Sequence, residues 1–150
     1  MSLEQDLKQK SFGSEQEKVV VNIFFTYHWL NNLSREFFKK YNITAQQYNV
    51  LRILRGQHPK PSSINTLKER MLDRECDASR LVVRLKSKGL LERKICENDK
   101  RAVDISITKK GLDLLSKIDK ELPERNSKLT ANLSLAELRQ LNFLLDKIRG

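Results

Sequence analysis

The chain has 150 residues, 39% of them hydrophobic, which is enough for one domain with a packed core. Its net charge of +10 suits a polyanionic partner, although a merely soluble basic protein has the same property. Cys76 and Cys96 form no CxxC pair and no signal peptide is evident, so we expect a reducing, cytoplasmic setting. The longest apolar-rich run, 19–30, is far shorter than the roughly 20 residues of a membrane span, so no membrane partner is expected.

The first predicted element is a long helix from Glu15 to Tyr41. Residues 1–14 before it are polar with little periodicity, so we expect them to be frayed or disordered. Within the helix, apolar residues recur every three or four positions and others lie beside that stripe. This surface is wider than contact with one core requires, and it therefore predicts an interface with a second copy of the chain.

The next helices are marked by their capping residues. A capping box at Thr44-Ala45-Gln46-Gln47 begins one helix, which ends before the loop His58-Pro59-Lys60-Pro61. Ser63 is typical of the N-cap of a short helix, Ile64 to Met71 or Leu72. A turn at Asp73-Arg74-Glu75 then leads into the following helix.

That helix, predicted from Cys76 to Lys88, is apolar on one side and basic on the other. Its apolar stripe consists of Ala78, Leu81, Val82 and Leu85. Arg80 and Arg84 lie on the other side, and Gly89 is a stop signal because glycine adopts the left-handed conformation readily. Two short helices joined by a tight turn, the second basic on its outer face, are typical of a helix-turn-helix.

A β-hairpin is predicted directly after the helix-turn-helix. Strand-like runs at Leu90 to Cys96 and Ala102 to Thr108 surround the polar turn Glu97-Asn98-Asp99-Lys100. From Lys60 to Gly111 the chain has 14 Lys and Arg against eight Asp and Glu. A basic helix followed by a basic-tipped hairpin indicates a module that reads nucleic acid.

Two further helices are predicted at the end of the chain. The first begins after Thr108 as N-cap, and Pro123 is expected to kink or end it. The second begins at the capping box Ser134-Leu135-Ala136-Glu137 and runs to about Lys147. Like the first long helix, it carries more apolar surface than a small winged module needs.

The expected fold is mainly α with a small β-hairpin wing: a winged helix-turn-helix with N- and C-terminal dimerisation helices. We expect one domain at residues 15–150. Its winged part lies at about 43–111, and its dimerisation layer at about 15–41 and 112–150.

The sequence resembles the MarR family of bacterial transcriptional regulators from about Glu17 to near its end. The resemblance rests on the run RLVVRLKSKGLLERK, on the Asp-x-Arg pattern Asp99-Lys100-Arg101, and on Ile107-Thr108, where the family has Leu-Thr. It implies a homodimer with a long first helix, a winged helix-turn-helix and two returning helices. It also implies that Arg101 contacts DNA, with Asp99 as its orienting partner.

The outer face of the Cys76–Lys88 helix is expected to enter the major groove. Arg80 is the predicted base reader, because a guanidinium bridges O6 and N7 of guanine. Arg84 and Ser79 can each contact a base or a phosphate. Asp77 stands where the resemblance implies a small hydroxyl residue; it can accept from cytosine, cap the helix or pair with an arginine, and capping or pairing is favoured. Ordinary solvent-exposed side chains are the alternative for Arg80, Arg84 and Ser79.

The wing is expected to contact the minor groove and the phosphates. Asp99 and Arg101 share a face of an extended strand, which suits an arginine held in a narrow minor groove; the alternative is a mobile surface ion pair. Ser63 offers a phosphate contact at a helix N-terminus, although capping already explains it. The predicted phosphate contacts are Lys94, Lys100 and, less strongly, Lys60 and Lys68.

Tyr27, His28 and Trp29 are candidates for an effector pocket beside the dimer interface, and core packing is the alternative. Cys76, on the outward face of its helix, either couples oxidation to DNA release or is inert. The sequence has no metal-ligand spacing, cofactor motif or catalytic constellation, so no metal, cofactor or enzymatic activity is expected.

The predicted function is that of a transcriptional regulator that binds double-stranded DNA with sequence specificity. In this interpretation a homodimer binds a pseudo-palindromic operator, with one reading helix in each half-site, and represses until a small-molecule effector binds. The alternative is a winged-helix module for protein interaction or for non-specific nucleic-acid binding.

Overall fold

The computed structural model describes residues 2–95 and 103–150. Helices α1 to α5 are Leu3–Leu7, Glu15–Lys39, Ala45–Gln57, Ile64–Arg70 and Ala78–Ser87; strands β1 and β2 are Leu91–Ile95 and Val103–Ile107; helices α6 and α7 are Lys109–Leu129 and Leu135–Arg149. The fold is mainly α with a two-stranded hairpin, as predicted. No helix in these ranges is long and apolar enough to cross a membrane.

Four of the predicted helix starts are confirmed by their hydrogen bonds. The side-chain oxygens of Thr44, Ser63 and Thr108 each accept from the backbone N–H three residues later, at 3.1 Å. Ser134 does the same for α7 at 3.3 Å. The first N–H groups of a helix have no partner within it, so these side chains determine where each helix begins.

Helices α3, α4 and α5 together with the hairpin β1–β2 surround one apolar core, and we call this unit the winged lobe. Its fully buried side chains include Leu51, Leu67, Leu85, Leu91 and Ile105. Helix α6 closes the core from the other side with Leu115 and Ile118, which are also fully buried.

The hairpin is fixed to the lobe by a third stretch of backbone. β1 and β2 are antiparallel, with Leu91 opposite Ile107 and Arg93 opposite Ile105. Ser62, just before α4, exchanges both backbone hydrogen bonds with Ile105, at 2.8 and 2.9 Å. The base of the wing is therefore rigidly connected to the helix-turn-helix.

The prediction that residues 1–14 are frayed or disordered is wrong for the part that forms α1. Ser2 and Gln5 make a capping box, Leu3 is buried, and Glu4 pairs with Lys18 of α2 at 2.6 Å. A single turn of helix is unstable alone, and these contacts with its own cap and with α2 stabilise it.

Pro123 was expected to kink or end its helix; it does not end it, because α6 continues through it to Leu129. Proline removes one backbone donor, and side chains on both sides of it hold the helix in place. Leu122 packs against the core, and Arg125 donates to the Ser34 hydroxyl of α2 at 3.0 Å while lying over the ring of Phe37. Packing thus outweighs the intrinsic cost of the proline.

Helices α2 and α7 expose long apolar faces. On α2 the exposed side chains include Val20, Ile23, Phe24, Tyr27 and Leu30. On α7, all of whose residues are described, no residue is buried, and the exposed apolar side chains include Leu135, Leu141, Leu144 and Ile148.

Candidate DNA-binding interface

Helix α5 presents a polar, basic face to solvent because its apolar face is fully used by the core. Ala78, Leu81, Val82 and Leu85 are all buried, which fixes the rotation of the helix about its axis. The exposed residues are Ser79, Arg80, Val83, Arg84, Lys86 and Ser87. This face is therefore positively charged and exposed to solvent.

Both ends of α5 are fixed by local hydrogen bonds. Asp77 is the N-cap: its Oδ1 accepts from the backbone N–H of Arg80 at 2.9 Å. At the other end Gly89 has φ +70°, its N–H donates to Lys86, and the Leu90 N–H donates to Leu85. This pair of bonds is the Schellman motif, which glycine favours. The capping role favoured for Asp77 is thus what the structure shows.

The structure corrects the position of Cys76. Helix α5 begins at Ala78, so Cys76 precedes it and is not on its outward face. The side chain is partly buried, with Sγ 3.3 Å from Sδ of Met71. Burial, helped by the nearby Asp73 carboxylate, raises the pKa of the Cys76 thiol, so the reactive thiolate is disfavoured.

The described part of the wing adds further positive charge. Arg93 and Lys94 of β1 are exposed, and Lys94 pairs loosely with Glu92 at 3.5 Å. Such an exposed pair contributes under about 1 kcal/mol, so Lys94 is available to a phosphate. Asp99, Lys100 and Arg101, the predicted wing-tip contacts, lie outside the described residues.

Ser63 caps α4, with Oγ 3.0 Å from the Thr66 hydroxyl as well as accepting from the Thr66 N–H. Lys60 and Lys68 are exposed on either side of it. The hydroxyl of Ser63 is therefore already engaged, while the two lysines are accessible.

A cavity of about 770 Å³ lies between α2, the start of α3 and the end of α5. We call it the basic cavity, since the described residues that line it include Arg35, Lys39, Arg84 and Lys88 but only one carboxylate, that of Asp73. Of the three predicted pocket residues, Tyr27 lines it. His28 packs edge-on against the Tyr27 ring, with centroids 5.4 Å apart, and neither His28 nor Trp29 lines the cavity.

Two carboxylates of α6 attach it to α3 and to the residues just after α2. Glu121 accepts from the Tyr41 hydroxyl at 2.7 Å and pairs with Lys40, whose ammonium group lowers the pKa of the Glu121 carboxyl. Two residues earlier, Asp119 pairs with Arg55 of α3. A movement of the winged lobe relative to α6 would therefore break the pair between Asp119 and Arg55.

The sequence and the fold match known proteins. A model described as the MarR family matches residues 41–102. The HTH-type transcriptional regulator MgrA of Staphylococcus aureus is 35% identical over 120 residues, which are 77% of this chain and 76% of that protein. The chain belongs to the MarR family. It is similar also to the homoprotocatechuate degradative operon repressor of Escherichia coli, 28% identical over 113 residues and 75% of each chain.

Among solved structures, a mutant MarR from Escherichia coli complexed with operator DNA has a TM-score of 0.80 and 27% identity to this chain. The match covers 93% of this chain and 99% of that one. The MarR family is one of transcription regulators, and this member is a DNA-binding transcriptional regulator.

Within this MarR-family fold, α4 and α5 are the helix-turn-helix and the hairpin is its wing. The structure brings Ser79, Arg80 and Arg84 together on the exposed face of α5. Arg84 also lines the basic cavity. Sequence reasoning missed Arg35 and Lys39 of α2, because a charged residue on a helix is normally just a solvated side chain, and only the fold brings them beside α5.

Proposed function

We propose that this MarR-family protein is a homodimer that binds a pseudo-palindromic operator, with one α5 in the major groove of each half-site. The observation that carries the proposal is the exposed basic face of α5 on a helix whose rotation and both ends are fixed. A preorganised reading helix loses little conformational entropy on binding. Arg80 reads a base, Arg84 and Ser79 contact a base or phosphate, and Asp77 keeps its capping role.

The wing is proposed to complete each half-site. Arg101, oriented by Asp99, enters the adjacent minor groove, while Lys94 and Lys100 neutralise phosphates. Lys60 and Lys68, exposed beside α4, and Ser63 at its N-terminus are weaker phosphate contacts.

The dimer is proposed to form through α2 and α7. Their exposed apolar faces are too extensive for a monomer in water, and both helices lie at the chain ends, where the family resemblance places the dimer layer. In this layout residues 43–111 contact DNA, and residues 15–41 and 112–150 determine the distance between the two reading helices. We place the protein in the bacterial cytoplasm, with no enzymatic activity of its own.

We propose further that the protein is a repressor that responds to a small organic anion bound in the basic cavity. Four cationic side chains surround the cavity, and Tyr27 supplies an aromatic wall. Arg84 belongs both to the cavity and to the exposed face of α5. An anion that draws Arg84 inward therefore competes with DNA for it, which couples the two sites.

Selection of bound sequences from random double-stranded DNA tests the operator proposal. We expect an inverted repeat whose half-sites are about one helical turn apart. If the selected DNA has no inverted repeat although the protein binds it, the protein is a non-specific nucleic-acid-binding module. If no DNA is retained, the winged-helix protein-interaction module is the better interpretation.

Two substitutions separate base contacts from phosphate contacts. Arg80→Ala should relax the preference at one position of each half-site and cost about 1–3 kcal/mol against the selected operator. Lys94→Ala should weaken all sequences alike and reduce the slope of log K against log salt by about one. Fluorescence anisotropy at several salt concentrations measures both, and equal behaviour of the two variants would contradict this division of roles.

A further inference from the structure

Val83 is an apolar side chain on the otherwise polar face of α5. Its residue is 55% exposed, whereas the other apolar residues of the helix are at most 8% exposed. Each of its exposed neighbours on the helix carries a hydroxyl, a guanidinium or an ammonium group. Because α5 is described in full, Val83 is the one exposed apolar side chain of this helix.

The position of Val83 places it beside the predicted base reader. It follows Arg80 by three residues and Ser79 by four, and residues at these spacings are neighbours on one face of a helix. If Arg80 contacts a base edge, Val83 faces the same groove one turn further along. A valine side chain is short, but Ser79 beside it is short as well, so neither prevents the helix from lying close to the bases.

Helix α5 has no amide side chain of the kind that recognises adenine through paired hydrogen bonds. Arginine suits guanine, whereas asparagine and glutamine make the paired hydrogen bonds to adenine. Helix α5, with the sequence ASRLVVRLKS, contains neither amide. In the major groove thymine also carries a C5-methyl group, which an apolar side chain contacts.

We propose that Val83 reads a thymine methyl group in each half-site, beside the base that Arg80 contacts. Valine is suited to this because its branched Cβ holds one rotamer in a helix, so both methyl groups are already oriented. The proposal rests on the proposed binding of an operator by α5, and it adds a residue that determines specificity at an A·T pair.

Replacing thymine by uracil in the selected operator tests the proposal, because this change removes the methyl group and keeps the hydrogen-bonding edge. Each thymine of one half-site is replaced in turn, and affinities are measured for the wild type and for Val83→Ala. At one position we expect about fourfold weaker wild-type binding, the effect of one buried methyl group. Val83→Ala should bind the thymine and uracil operators equally, and about 16-fold more weakly than the wild type binds the thymine operator, because both copies in the dimer lose the contact.

The variant should fold, since alanine has a higher helix propensity than valine and the side chain is exposed. Leu72→Ala is a matched control: Leu72 is 94% exposed but lies in the turn before α5, so this variant should keep the wild-type preference for thymine. A Val83→Ala variant that keeps that preference overturns the role of Val83 alone. A selection that yields no inverted repeat overturns the proposed function and this proposal with it.

Discussion

The winged lobe and the two end helices, α2 and α7, differ in where they place their apolar side chains. In the lobe, Leu51 and Leu85 are 0% exposed, whereas Leu141 and Ile148 of α7 are 45% and 58% exposed. Both regions have amphipathic helices with well-formed caps, so local sequence does not explain the difference. The lobe buries its apolar surface within one copy of the chain, whereas the end helices are proposed to bury theirs against a second copy.

Helix α2 belongs to both regions. Near its C-terminus Phe38 is buried in the lobe core and packs against Tyr48 of α3, with ring centroids 4.7 Å apart. About four turns earlier, Phe24 and Ile23 are exposed. One continuous helix therefore connects the proposed dimer interface to the DNA-binding lobe, and this makes the distance between two reading helices sensitive to how α2 packs.

The largest effect is expected from a substitution at Gly111, where α6 packs closely on the residues that begin and end the hairpin. A Cβ at this position would lie 2.3 Å from the Leu90 carbonyl oxygen and 2.7 Å from Cγ1 of Ile107. Gly111→Ala should therefore lower the free energy of unfolding by about 3 kcal/mol or more, as measured by urea denaturation. Gly56→Ala is the control, since nothing lies within 4 Å of its added Cβ and helix propensity predicts a gain of about 0.5–1 kcal/mol. Equal stability of Gly111→Ala and the wild type would show that α6 does not pack this closely on the hairpin.

The second prediction concerns the open face of α7. Leu141→Glu places an unpaired charge in the proposed interface, and about 3 kcal/mol of such a cost weakens dimerisation by more than about 100-fold. Light scattering at micromolar concentration should then detect a monomer whose lobe is still folded. Ala136→Glu adds the same charge about 140° away around the helix and should remain a dimer. A dimeric Leu141→Glu variant would locate the interface elsewhere.

A smaller effect is expected at the junction of α5 and β1. An added Cβ on Gly89 meets only atoms of Lys110, at 3.9 Å, so the cost of Gly89→Ala is the left-handed backbone itself, about 1 kcal/mol. Urea denaturation should show this loss without any change in oligomeric state. If Gly89→Ala lost as much free energy of unfolding as Gly111→Ala, steric crowding of the added Cβ, and not the left-handed backbone, would be the cause.

The smallest effect is expected where α6 joins the two regions. Lys40 and Tyr41 hold the pKa of Glu121 below its usual value, so this carboxylate stabilises the fold above the ordinary glutamate pKa, and the contribution is lost as pH falls through the lowered value. Glu121→Gln should show a small loss of stability at pH 7 that disappears in acid. Urea midpoints of both proteins between neutral and acidic pH measure this, and a difference independent of pH would rule out the charged form as its cause.

Much of the fold was predictable because the signals are local. Thr44, Ser63 and Ser134 mark helix starts through bonds that span three residues, and Gly89 marks a helix end through its own φ. Where the predictions failed, contacts distant in sequence decided the outcome. The pairing of Glu4 with Lys18 supports α1, and Arg125 with Ser34 supports α6 beyond Pro123.

The sequence by itself determined the order of the elements from α2 onward, the buried face of α5 and the presence of basic residues on its other face, because periodicity and capping depend on neighbours within about one helical turn. Only the tertiary structure decided that Cys76 precedes α5 and packs on Met71, and that Arg35 and Lys39 meet Arg84 at one cavity. These placements depend on how helices pack against one another, and side-chain periodicity does not specify that packing.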